Sequence, residues 1–377
     1  MASVQILGAG VAGFALAREL VQAGYDGQIV LNDPQGLPYD RPPLSKSLER
    51  VPFAPPQWFA QHSIELRDEL IETPPLPTSK EDWLVLATGT TPLALNVPGA
   101  ENAKVIHTAS VAEELAQKLS FGAFGTHAVV IGAGLIGAEF AAAARQFGAT
   151  VTLISNQELP AQKAFGPALA RQLHEDHRIG GIRLITGQVQ NITEHTVRVN
   201  DEELEADIIV SAIGVTPNVQ VAQQLGVRTD DGILVDQHQR TNLPQVLAVG
   251  DVTRHPGERA YRHWEHAIED AQIAASTIMA TPTVQRQTPW FWSDRHESHI
   301  EVVGDFSRAK YSVERLNWQE RIQISFGLND QGQLVAAALA DPGQDSDIMR
   351  ELIAHGRSPN HSDLQNPRIS LRDLGQS

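Results

Sequence analysis

Two stretches of this sequence have the make-up of a phosphate cradle. Gly8-Ala9-Gly10-Val11-Ala12-Gly13 follows the apolar run Val4 to Leu7, and Gly132-Ala133-Gly134-Leu135-Ile136-Gly137 follows Val129 to Ile131. Each is a GxGxxG placed between a strand-like and a helix-like run, the context in which that spacing binds a dinucleotide. The first glycine permits a tight turn, the second lets backbone approach a pyrophosphate, and the third lets helix pack on strand. The helix N terminus then turns its N–H groups toward phosphate. The expected contacts are Gly8, Gly10, Ala12 and Gly13 in the first copy and Gly132, Gly134, Ile136 and Gly137 in the second.

The copies match beyond the motif. A further glycine stands eleven residues after the third in each, at Gly24 and Gly148, and a second apolar strand follows: QIVLND ending at Asp33, TVTLIS ending at Ser155. Two independent matches imply two dinucleotide sites. An acid about 20 residues downstream holds the ribose hydroxyls of the adenine half. Asp33 supplies it in the first copy, and Ser155 stands at the same point in the second. The second site therefore discriminates weakly between NADH and NADPH. With no arginine beside Ser155 to claim a 2′-phosphate and Lys163 further along the chain, NADH is the expected donor and NADPH the alternative.

A third chemical stretch is GLPYDRPPLSKS, residues 36–47. Its prolines fix their own φ and push their predecessors toward extended geometry. Such rigidity suits either a surface turn or a site at which Tyr39, Arg41, Ser45 and Lys46 are donors held in place before a ligand arrives.

Three more strand-like fragments must position these groups. Trp83 to Gly89 and Ile208 to Gly214 are apolar runs closing on small residues, with Ala87 and Gly214 at their turns. TNLPQVLAVGD, Thr241 to Asp251, delivers Gly250 and Asp251 at a strand end. Asp251 reads either as a partner for a ribityl hydroxyl or phosphate-side water, or as a helix N-cap or turn aspartate.

At 377 residues the chain is long enough for two or three domains. Its 29 Lys and Arg against 45 Asp and Glu give a formal charge of −16, which argues against nucleic acid or an anionic membrane as the main partner. There is no cysteine, which removes thiolate metal sites and redox dithiols and fits a reducing, cytoplasmic setting. The N-terminal MASVQILGAGVAGFALAREL has no basic leader and is broken by glycines, Arg18 and Glu19, so it reads as folded structure, not as a signal or a membrane span. The histidine pairs His174/His177, His263/His266 and His296/His299 have HxxH spacing, without the carboxylate that would complete a zincin motif, so no metal site is expected. No GxSxG nucleophile elbow occurs.

GAGVAG, PYDRPPLSK, LVLATG, VVIGAGLIGAE, LAVGD, HWEHA and PWFWSD occur in this order, with SLRDL near the end. Together they resemble the FAD-dependent ferredoxin reductases of oxygenase electron-transfer systems, which serve aromatic-ring dioxygenases and cytochromes P450, and the related rubredoxin reductases. The resemblance runs from Val4 to about Gly304; PYDRPPLSK and PWFWSD are its specific parts. It implies an α/β fold with two Rossmann-like domains and a C-terminal α+β domain. The FAD domain (1–105 and 236–282) would be interrupted by an NAD(P)H domain (106–235), with 283–377 last.

The resemblance also implies roles. FAD would contact Gly8, Gly10, Ala12, Gly13, Asp33, Arg41, Lys46, Ala87, Gly250, Asp251 and Trp264, the last against the pyrimidine side of the flavin. NADH would contact the second glycine motif, Glu139, Ser155 and Gly214. Lys46 would lie near the isoalloxazine ring and pair with Glu139, while Trp292 would be either core or part of the flavin edge where the partner docks. That partner would be a [2Fe–2S] ferredoxin or a rubredoxin, and the reductase a monomer or homodimer, with aromatic hydrocarbon catabolism as a setting. The alternatives are a flavin-binding signalling protein or a shortened homologue with weakened FAD binding.

Departures from the family pattern bear on FAD affinity more than on fold. Between Arg67 and Trp83 the family carries a longer β-meander, where this chain has DELIETPPLPTSKED. Ile106-His107-Thr108 stands where an arginine is usual, and Arg295 replaces a glutamine. Because ferredoxins are commonly acidic, a local basic patch is expected, with Arg295, Arg308, Lys310 and Arg315 as its candidates.

Overall fold

The computed structural model describes residues 2–122, 125–257, 259–341 and 345–375. The chain forms two compact units, one of Met1–Arg41, Arg50–Thr91 and Val215–Arg286, the other of Pro42–Glu49, Pro92–Gly214 and Gln287–Ser377.

A five-stranded parallel sheet organises the first unit, in the order Val246–Ala248, Trp83–Leu86, Ser3–Leu7, Gln28–Asn32, Ile64–Arg67. Val4, Ile6, Val85 and Leu247 are buried, as strands covered on both faces require. The helices Val11–Gln22 and Trp264–Ile278 share this core through small residues, Ala12, Ala15, Ala267, Ala271 and Ala274, which allow close approach. No strand stands between Arg67 and Trp83. The meander of the resembled family is thus absent, and Ile64–Arg67 is an edge strand whose outward Glu65 takes Arg67 at 2.7 Å and Gln28 at 2.9 Å, a polar rim that discourages pairing with another chain.

The second unit repeats the plan with a four-stranded parallel sheet: Ile182–Thr186, Thr150–Ser155, His127–Ile131, Ile208–Ser211. Its helix Leu135–Gln146 presents Ala138, Phe140, Ala141 and Ala142 to the interior. The same unit holds a three-stranded antiparallel meander, Val189–Ile192, Thr196–Val199 and Glu202–Glu205. It also holds a five-stranded antiparallel sheet ordered Trp290–Arg295, Ser298–Gly304, Leu334–Ala340, Ile322–Leu328, Tyr311–Leu316. Helices Asp345–Ala354 and His361–Gln365 cover that sheet around Phe326, Met349 and Leu364. The fold is therefore α/β with two Rossmann-like sheets and a C-terminal α+β portion, as the sequence implies.

One polar tie holds the C-terminal layer. Arg315, 4% exposed, lies over the Phe326 ring and donates to the carbonyls of Leu364 (2.7 Å), Ile369 (2.9 Å) and Asp363 (3.0 Å).

Candidate functional site

In the first unit, the carboxyl ends of three adjacent strands converge, which is where parallel sheets open a ligand crevice. Gly8, Ala87 and Gly250 stand there. Gly8 has φ +106°, and a Cβ on it would lie 2.2 Å from the Ala87 carbonyl oxygen; a Cβ on Gly13 would lie 2.0 Å from the Gly8 carbonyl oxygen. Both positions must therefore be glycine for steric reasons internal to the protein. Gly10 differs: a Cβ there meets nothing within 4 Å, and the helix that follows has no side-chain cap on its N–H groups. The space beside Gly10 and the uncapped donors fit a pyrophosphate. Asp33 braces the loop, its Oδ2 accepting the Ala9 N–H at 2.8 Å and its Oδ1 the Gln35 N–H at 2.9 Å.

Gly250, at φ +80°, abuts Ala12, and its N–H donates to the buried Asp270 at 2.9 Å. Asp251 follows in a turn closed by the Thr253 N–H on the Gly250 carbonyl (2.8 Å), so it is a turn aspartate whatever else it binds. Burial pushes its carboxyl up to about 6, against the opposing charges of Arg41 and Arg262. The Trp264 indole N–H donates to Asp40 at 2.8 Å, tying the helix start to the YD of the proline-rich loop.

The second unit builds the same cradle. Gly132 has φ +105° with its Cβ position 2.4 Å from the Ala212 carbonyl oxygen; that of Gly137 is 1.9 Å from the Gly132 carbonyl oxygen, and that of Gly134 is open. Ile136 is exposed on the first turn. Ser155 is buried and its Oγ accepts the Gln157 N–H at 3.0 Å. Gly214 ends its strand at φ +118° and its carbonyl takes the Leu93 N–H at 2.9 Å.

The proline-rich loop ends in a short helix whose side chains are engaged. Pro42 and Pro43 start the short helix Pro43–Lys46, a position where a missing N–H costs nothing. That helix aims consecutive side chains at one carboxylate: Ser45 Oγ donates to Glu139 Oε2 at 2.7 Å, and Lys46 Nζ to Oε1 at 2.8 Å. A third donor, Ser293 Oγ, reaches Glu139 Oε1 at 2.8 Å and accepts from Arg295 Nε at 3.2 Å. Glu139 is 6% exposed, so these donors replace water for its charge. Lys46 has a second carboxylate, Asp294, at 2.7 Å, and its ammonium lies 5.8 Å from the Trp292 ring centroid. Burial raises the Asp294 carboxyl, but the bonds from Lys46 and His299 outweigh it and hold it below the usual range. Trp292 stacks on Trp290 at 5.3 Å. Sequence reasoning named Ser45, Lys46, Glu139 and Trp292 and missed Ser293 and Asp294, although both lie within PWFWSD.

Two expectations change. Arg295 is 5% exposed and lies over the Phe165 ring, and Arg315 is buried as described, so neither belongs to a surface patch; Arg308 and Lys310 alone of the four are exposed. The histidines also sort differently from their spacing. His177 and His296, from different pairs, meet at 3.0 Å. His255, His266 and Asp270 gather within 4.8 Å, but Arg286 bonds all three, so the cation of that cluster is a guanidinium.

Residues 2–271 match the family described as pyridine nucleotide-disulphide oxidoreductase, and residues 290–375 the one described as reductase C-terminal. The chain is 34% identical to rhodocoxin reductase of Rhodococcus erythropolis over 83% of this chain and 80% of that protein. It is 31% identical to the anthranilate 1,2-dioxygenase system ferredoxin–NAD(+) reductase component of Burkholderia cepacia, over 97% of this chain and 98% of that one. Its fold matches the ferredoxin reductase for the CYP199A2 system from Rhodopseudomonas palustris with a TM-score of 0.91 at 29% identity, covering 100% of both chains. With two glycine cradles alike to the placement of each carbonyl and a matching sequence over most of its length, the chain belongs to the pyridine nucleotide-disulphide oxidoreductase family.

Proposed function

We propose that this protein is an FAD-dependent NADH:ferredoxin reductase, passing electrons from NADH to a [2Fe–2S] ferredoxin or a rubredoxin that feeds a dioxygenase or cytochrome P450. The observation that carries this reading is the pair of open cradles, at Gly10 and Gly134, in a chain whose Lys46–Glu139 ion pair is largely buried. The relatives named above support it over a signalling protein or a homologue without flavin.

FAD, when bound, accepts two electrons together and releases them singly. The chain's own residues bind and orient. The first loop would take the FAD pyrophosphate beside Gly10, with Asp33 at the ribose and Asp251 and Trp264 toward the remainder. The second would take NADH, with Ser155 at the ribose. Lys46 would supply positive charge as the flavin gains electrons, and Glu139, itself held by Ser45 and Ser293, keeps that ammonium in place. The disulfide chemistry in the family's name is closed to this chain, which has no cysteine. Among the described residues no helix is long and apolar enough to cross a membrane; we place the protein in the cytoplasm, beside its NADH supply.

The test is spectroscopic. Purified protein should show a flavin absorbance that NADH bleaches without oxygen and that an oxidised [2Fe–2S] ferredoxin or rubredoxin restores. Protein that binds no added FAD, or a bleached flavin that neither acceptor reoxidises, overturns the reading.

A further inference from the structure

Lys46 lies between a buried carboxylate and one that leads outward. Glu139 is on its inner side, and on its outer side is Asp294, whose other oxygen meets His299 Nδ1 at 2.5 Å. His299 Nε2 faces Glu301 at 3.2 Å, and Glu301 accepts the Trp290 indole N–H at 2.8 Å. The hairpin makes this arrangement. Asp294 is registered opposite His299, and Trp292 opposite Glu301, so all four side chains share one face of the antiparallel pair. The His299 side chain is 44% exposed and its Asp294 partner 39%, so this end of the chain of contacts meets water while Glu139 does not.

We propose that His299 is a positioning residue for Lys46: by gaining and losing a proton it changes the charge on Asp294's outer side, and so the hold that Asp294 keeps on the Lys46 ammonium. With the imidazolium present, His299, Asp294, Lys46 and Glu139 sum to zero. Loss of that proton to water leaves the four at −1, and Lys46 becomes the sole cation touching Asp294.

The surroundings raise the pH at which this change occurs. Burial pulls the imidazole's pKa down, and the Asp294 and Glu301 carboxylates reverse this and lift it above its ordinary value. Asp341, at the end of the neighbouring strand, accepts the His299 backbone N–H at 2.9 Å and adds a third negative charge. The helix Asp345–Ala354 packs against the strand of His299 and carries Asp345, Asp347 and Glu351, while its Arg350 is directed to the Thr288 carbonyl. Because the folded pKa is raised, this contact stabilises the protein fully below the ordinary imidazole value and less as pH rises through the folded value.

The consequence for electron transfer rests on the proposed role of Lys46 toward flavin: an extra negative charge in this group makes the flavin harder to reduce above the His299 transition.

Two measurements on the FAD-loaded protein separate the claims. NMR titration of the His299 ring should place its transition above the ordinary histidine value, with Lys46→Met moving it up by about half a pH unit or more and Asp294→Asn moving it down by about one. A His299 transition unmoved by Lys46→Met overturns the proposal. The flavin midpoint potential followed against pH should then bend at the His299 transition in the parent protein and not in His299→Gln. If the NMR coupling is present and the potential shows no such bend, His299 and Lys46 are coupled as proposed, and it is the role of Lys46 in flavin reduction that fails.

Discussion

Replacing Lys46 with methionine leaves the Glu139 carboxylate with Ser45 and Ser293 as its remaining donors, while the Arg295 charge reaches it only across Ser293. At 2.8 Å and an effective dielectric near 20, the Lys46–Glu139 attraction is about 6 kcal/mol. Desolvation of both charges opposes most of it, and Asp294 already shares the ammonium at 2.7 Å. Leaving Glu139 6% exposed without its cation should still cost about 3 kcal/mol, the lower end for a broken buried pair, because two hydroxyls stay. Glu139→Gln, which removes the charge and keeps an acceptor, should cost about 2 kcal/mol. The double variant should then lose about 3 kcal/mol, not 5, a coupling of about 2 kcal/mol. Urea unfolding of the four proteins, followed through hydrogen exchange of helix Leu135–Gln146, measures this in the unit that contains the pair. Costs that add to within about half a kcal/mol would refute the claim that Lys46 and Glu139 are energetically one group.

Gly10→Val should strip FAD and Gly134→Val should spare FAD while abolishing reduction by NADH, because the Cβ of each new side chain meets no protein atom within 4 Å and stands in the cradle; equal flavin loss in both would refute the assignment of the halves. NADH should be preferred to NADPH by a modest ratio, since the Ser155 hydroxyl can bond a ribose and does not repel phosphate as a carboxylate would; kcat/KM favouring NADPH more than tenfold, about 1.4 kcal/mol, rules this out. Burial, with Arg295, holds His177 down at about 2, and burial, with Arg286, holds His266 at about 3. The unfolded chain binds these protons first, so stability present above pH 6.5 should fall as pH drops toward 3, and His177→Gln should flatten that slope in urea midpoints measured across the range.

The cradles were legible because their requirement is local. A positive φ at Gly8 and a carbonyl 2.0 Å from any Cβ at Gly13 leave glycine as the residue that fits, and the spacing repeats at Gly132 and Gly137. Lys46 and Glu139, 93 residues apart, share no such local rule; their pairing came from family resemblance alone. Arg295 was misplaced although strand alternation held the answer. Ser293 and Arg295 occupy the buried face of their strand and Trp292 and Asp294 the other, so a charge two residues past a buried serine points inward with it. Arg315 follows buried Val313 in the same way. What no periodicity carried was the reason these arginines tolerate burial: an aromatic ring under each and, for Arg315, backbone carbonyls supplied by chain about fifty positions away.

Asp33 holds the Ala9 N–H before any nucleotide arrives, whereas Ser155, its counterpart, turns to Gln157 downstream of its own strand. The two loops therefore differ in what must rearrange for an occupant to leave. In the first, the carboxylate proposed to grip a ribose also pins the loop, so departure would leave every loop bond in place and the empty form ready to recapture. In the second, among the described residues, no such brace links the Ser155 side chain to the loop. On the proposed assignment, residence time would be divided between the halves: a resident cofactor exchanging slowly in the first, a fuel molecule turning over in the second, and an Asp33→Asn change expected to shorten the first residence by loosening the loop as well as the proposed ribose contact.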